Sequence, residues 1–242
     1  MMQIIKKFAA KAASNEGAPA ITLAFLGDSV TQGCFELLER AEGGFNNCHD
    51  RQHVYHTYVQ QILATLYPSV PVNVINAGVA GKDATHGLDR LERDVLSHSP
   101  DLTVVCFGLN DCGREEAGLA QYIAALEQIF ARLQQAGSEV IFMTPNMMAT
   151  QVSPLLTAPL FKEIAGKVAK RQNAGVLDRY LEEAKALCRS RDIAVCDCYE
   201  KWKLLAANGV DTTQLLANKI NHPTRQMHWL FAWELVRTML EM

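Results

Sequence analysis

Short apolar runs recur along this chain. Each ends at a turn-forming residue and is followed by a longer segment with apolar positions three and four apart. Residues 21–26, 72–75, 102–107, 139–144 and 193–196 have the length and bounding of buried strands rather than helices. Between them, Val54, Tyr58, Ile62 and Leu66 predict an amphipathic helix over 53–67, stopped by Pro68. Leu88, Leu91, Val95 and Leu96 predict a second helix closed by Pro100, and the stripe over 119–133 a third ended by Gly137. Two more are expected, from about 173 to 191 and from 224 to 242. Strands alternating with helices mean a parallel sheet covered on both faces, and right-handed crossovers open every loop that follows a strand on one side. That side receives Ser29, Gly81, Asn110 and, beyond the last strand, His222.

Three stretches lack such periodicity. Residues 1–20, with Lys6, Lys7 and Lys11 and ending at Gly17 and Pro19, read as a polar lead-in helix or N-terminal arm before a single domain over 21–242. Gly43, Gly44, Asn46 and Asn47 predict a loop over 34–50. Pro145, Pro154 and Pro159, among methionines and leucines, predict a long loop over 145–170 with one helical piece, placed as the wall or lid of a pocket.

Totals narrow the class. With 242 residues, 49% of them hydrophobic, the chain can bury a substantial core. A formal charge of -3 gives no case for nucleic acid or an anionic membrane as partner. No stretch nears the roughly 18 apolar residues of a membrane helix, and residues 1–20 lack the unbroken apolar core of a secretory signal. The seven cysteines are an odd number, and Cys106, Cys196 and Cys198 lie in or beside apolar runs, which together predict reduced thiols and a cytoplasmic setting. Cys196 and Cys198 lack the spacing of a redox pair, and Cys48, His49, His53 and His56 match no standard zinc spacing, so no metal is expected. Gly78-Val-Ala-Gly81-Lys82 is too short between glycines for a phosphate loop, and Asp83 stands where a magnesium-binding hydroxyl belongs. Trp229 and Trp233, four apart, read as core or interface.

Ser29, ejected from the carboxyl end of the first strand, is either a helix cap or a group presented to a ligand. Gly27-Asp-Ser-Val-Thr-Gln-Gly33, Asn76-Ala-Gly-Val-Ala-Gly81, Gly108-Leu-Asn-Asp111 and His222-Pro223, in this order and each beyond a strand, resemble the blocks of the SGNH (GDSL-type) hydrolases over nearly the whole chain. The resemblance implies a three-layer α/β/α, flavodoxin-like fold with five parallel strands. It also implies an acyl-serine esterase without cofactor, acting on a small-molecule ester, with small acyl groups such as acetyl on a sugar favoured. Ser29 then matches the nucleophile and His222 the base, while the amides of Ser29 and Gly81 and the side chain of Asn110 match the oxyanion hole. Asp28 and Asp111, inside the same blocks, are expected to support them. A serine hydroxyl needs such a base, and the tetrahedral oxyanion needs such donors. For each residue alone a plain reading stands beside this one: a turn glycine at 81, an asparagine bridging its own loop at 110, a cap at 222.

One position departs from the pattern. The family usually carries an aspartate three residues before the histidine, and here that residue is Lys219. The expectation is therefore a Ser29–His222 dyad whose imidazole is held by a main-chain or asparagine carbonyl, with Lys219 turned to solvent. Asp211 and Asp197 are the alternatives from further along the chain. Lysophospholipase, thioesterase or acyltransferase chemistry at the same serine stays open, as does a carbohydrate-binding protein that has lost its carboxylate. Oligomeric state is not legible.

Overall fold

The computed structural model describes residues 2–241. Chain order is α1 (Gln3–Ala13), β1 (Ile21–Gly27), α2 (Ser29–Gln32), the strands β2 (Cys34–Glu39) and β3 (Phe45–His49), α3 (Tyr55–Leu66), β4 (Val72–Gly78), α4 (Ala84–Asp89) and α5 (Leu91–Asp94). It continues with β5 (Leu102–Cys106), α6 (Leu119–Gln135), β6 (Glu139–Met143), α7 (Pro159–Asn173), α8 (Val176–Ser190), β7 (Ala194–Cys196), α9 (Cys198–Ala207) and α10 (Arg225–Glu241).

The five apolar runs pair in the order β4-β1-β5-β6-β7, every pair parallel. In β1, Leu23, Ala24, Phe25 and Leu26 are all fully buried, as a strand covered on both faces must be. Helices α3 and α10 pack together, and α6 packs against α4 and α8. After β1 the chain builds first to one side, with β4, and then to the other, with β5. That reversal leaves a crevice at the strands' carboxyl ends. Gly27 is level with Gly78 on one side and Cys106 on the other, so the three following loops leave the sheet side by side.

The lead-in is a packed helix. Ile4, Ile5 and Phe8 of α1 belong to the same core as the sheet, and Glu139 caps the helix by accepting from Gln3 and Ile4 amides at 2.9 and 2.8 Å. Residues 34–50 are an antiparallel hairpin rather than a loop. Its register shifts between Cys34 and Leu37, which removes the alternation that marks a strand, while Gly43 and Gly44 form the turn at positive φ. The helix expected over 88–96 is broken, because Arg90 leaves helical geometry to donate to the Ala77 and Gly27 carbonyls at 2.6 and 2.9 Å. Much of 159–170 is helical, since Pro159 opens α7 where its missing N–H costs nothing. Helix α9, absent from the periodicity, starts where Asp197 accepts the Glu200 amide. Trp229 and Trp233 are not core: they are 47% and 55% exposed.

Candidate active site

The first site element is a single helical turn. Asp28 caps it by accepting the Val30 amide at 2.9 Å, which places Ser29 at the turn's start, buried at 5% exposure. A Cβ on Gly78 would collide with the backbone of Thr31 and Gln32, so only glycine lets β4 end this close to that turn.

His222 reaches Ser29 from the far end of the chain: its Nε2 lies 2.9 Å from the Ser29 Oγ. Asn218 holds the intervening turn, its Oδ1 accepting the amides of Ile220, Asn221 and His222 at 3.0, 2.9 and 2.9 Å. The His222 Nδ1 is 3.0 Å from the Phe35 carbonyl oxygen, which accepts only, so the proton sits on Nδ1 and Nε2 is free to accept the serine proton. Lys219, at φ 57°, turns its ammonium to the Gln214 carbonyl at 2.8 Å, away from the imidazole. Neither more distant carboxylate stands in. Asp197 is bound to Lys185 and Thr144, and Asp211 to the Thr213 amide and Gln151. Burial pushes the His222 pKa down to about 4, against the smaller opposing pull of the Phe35 carbonyl.

The loop after β4 carries Gly81 at φ 71°, a conformation glycine adopts freely. Gln32 steadies that loop by accepting the Ala80 amide at 2.7 Å. The Asn110 side chain donates to the Lys82 carbonyl at 3.0 Å and makes a longer contact, 3.4 Å, with Asp28 Oδ2. That long contact leaves one amide hydrogen weakly held and able to turn to another acceptor. Asp111 ties the two loops together, accepting from Ala84 at 2.8 Å and Gly108 at 2.9 Å. Burial raises Asp28 to about 7 and Asp111 to about 6, each with the charge of another aspartate adding to the rise.

Ser29, Gly81, Asn110 and His222 line one cleft of about 500 Å³ between the hairpin and α7. Three contributors had no sequence signal or a faint one. Phe35 acts through its carbonyl, which every residue has. It is held in place by Arg225, whose guanidinium stacks 4.3 Å from the Phe35 ring and pairs with Glu36 at 2.6 Å and Asp50 at 2.8 Å. Asn218 could have been found, since an asparagine a few residues before a functional group is a common turn-former. Of the four residues with metal-ligand chemistry, His53 pairs with Asp50, His49 lies 3.4 Å from Cys34 and His56 is buried. Among the described residues no three His, Cys, Asp or Glu side chains converge on one point, and no helix is long and apolar enough to cross a membrane.

Residues 25–230 match the GDSL-like Lipase/Acylhydrolase family. The chain belongs to that family. It is accordingly a carboxylic ester hydrolase, with the five-stranded SGNH fold. An acetylxylan esterase of Geobacillus stearothermophilus is 29% identical over 167 residues, spanning 64% of this chain and 74% of the relative. The crystal structure of Axe2, an acetylxylan esterase from the same organism, superposes with a TM-score of 0.66 at 21% identity, covering 90% of this chain and 94% of that one. A two-domain esterase active on acetylated mannans gives a TM-score of 0.68 at 18% identity over 98% of this chain, which spans 52% of that protein.

Proposed function

We propose that this chain is a serine esterase that removes acetyl groups from carbohydrate, with Ser29 as nucleophile and His222 as its base. The observation that carries the proposal is the 2.9 Å contact between Ser29 Oγ and His222 Nε2, with Nδ1 fixed on Phe35. The acetyl-carbohydrate substrate rests on the relatives, which include acetylxylan esterases and an esterase active on acetylated mannans.

Mechanism follows from the geometry. At neutral pH the buried imidazole is uncharged, so it can take the serine proton as Oγ attacks the ester carbonyl. The oxyanion then meets the amides of Ser29 and Gly81 and the Asn110 amide hydrogen that only the long Asp28 contact holds. Loss of one donor in a comparable hole costs about 3 kcal/mol. His222 returns its proton to the departing sugar oxygen, and the acetyl-serine is cleared by a water that the same imidazole activates. The Phe35 carbonyl holds the imidazole in its working tautomer. It supplies a dipole rather than the full charge of a carboxylate, so the imidazolium is less well stabilised than in a triad.

We infer a reducing, cytoplasmic setting from the thiols: all seven cysteines are free, six of them buried. Rates on nitrophenyl acetate, butyrate and octanoate, and acetate release from acetylated xylo-oligosaccharides, test the assignment with S29A as control. Acetyl turnover at least tenfold above octanoyl, and lost in S29A, is the expected result. Activity that survives in S29A overturns it.

A further inference from the structure

The wall of the cleft opposite the hairpin is α7, which presents Ile164, Val168 and Arg171. These positions are four and then three apart, so they lie on one helical face and run from apolar to cationic. Among the described residues lining the cleft, Arg171 alone carries a fixed charge. No carboxylate lies within ion-pair distance of it among the described residues, although 19 such pairs occur elsewhere in the molecule. Its one hydrogen bond, to the Gly113 carbonyl, is long at 3.4 Å, and its buried Nε has no partner. A guanidinium is a planar fork suited to carboxylate or phosphate, and an unfilled one facing a cleft is a place for the ligand's charge. Acetyl is small beside a cleft of about 500 Å³, so the remaining space belongs to the alcohol part of the substrate.

We propose that the physiological substrate is an acetyl ester of an anionic alcohol, a sugar bearing a carboxylate or phosphate, and that Arg171 binds that anion. This rests on the esterase reading above and names the substrate class for the same cleft. Leu37, Phe45, Ile164 and Val168 line the same cleft and give the sugar ring an apolar surface to cover, and a charge-assisted pair beside it gains strength as that surface is covered.

The test separates binding from turnover. Calorimetry on S29A would compare acetylated methyl glucuronoside, acetylated glucose phosphate and the neutral acetylated methyl glucoside; the two anionic arms distinguish carboxylate from phosphate. At least one anionic ester should bind about 10- to 100-fold more tightly than the neutral one, the preference weakening in 0.5 M salt. Adding R171Q should bring the ratio to within about threefold, and R171K should restore part of it. A ratio near one in S29A, which needs no change at Arg171, overturns the proposal, as does a preference that survives R171Q. In the Ser29 enzyme, kcat/KM should show the same ratio. If no ester is turned over yet S29A prefers the anion, the esterase reading fails and the anion site stands.

Discussion

Lowering the pH from 8 to 5 tests the base, because a free histidine gains its proton over that interval and His222 keeps its neutral form. A free histidine has a pKa near 6.5, and His222 is held at about 4 by burial. Its working form is the neutral one, so kcat/KM should rise with pH through about 4 and be level above about 5. At pH 5.5 a base of pKa 4 is about 97% active, whereas an unperturbed one is about 9% active, a difference of roughly tenfold. Initial rates on nitrophenyl acetate, read at an isosbestic wavelength, measure this. The low limb ends in unfolding. His56 and His222 refuse a proton until about pH 4 while the unfolded chain takes one near 6.5, so each withdraws on the order of 3 kcal/mol by pH 4. The rate comparison therefore belongs at pH 5 to 6, with the emission of the buried Trp202 as a check on folding. Asp28, raised to about 7 beside Asn110, is controlled by repeating the profile in D28N, and a midpoint near 6.5 that persists in that folded variant would refute a buried His222 as the rate-controlling base.

Other consequences concern the groups around it. N110A should lower kcat by a factor on the order of 10², about 3 kcal/mol, with KM changed much less, because the donor acts on the oxyanion rather than on the bound ester. K219D should leave kcat within about threefold: the imidazole already has its acceptor in Phe35, and residue 219 faces Gln214; a tenfold gain in steady-state rate would contradict this. Asp28, raised to about 7, stabilises the fold while protonated and loses that contribution as pH rises from about 4 through 7. D28N keeps an acceptor for the Val30 amide, so its Tm relative to the unsubstituted protein should be higher at pH 8 than at pH 5; calorimetric melts at both pH values check the sign.

The centre of the sheet was legible because β1, β5 and β6 are buried on both faces and read as apolar runs bounded by turns. The edge strand β4, largely half-buried or exposed, was marked instead by Val72, Val74 and Ile75 around a polar Asn73. Convergence of Ser29, Gly81 and Asn110 followed from the crossover rule, which fixes the side on which loops emerge. Lys219 facing away could be argued from charge alone, and its ammonium does turn to the Gln214 carbonyl. The hairpin was hidden by a register shift. The break at Arg90 was hidden because its cause is tertiary: two carbonyls at strand ends draw the guanidinium out of helical register. The Phe35 carbonyl could not be read at all, since a main-chain acceptor leaves no mark in a string of side chains.

Intact-mass analysis after treatment with a serine-reactive organophosphonate tests the reading of the site most directly. One adduct should form, mapping by peptide to Ser29, absent from S29A and formed much more slowly in H222A. Labelling at another residue, or unchanged labelling in either variant, would contradict the assignment of Ser29 and His222 as nucleophile and base.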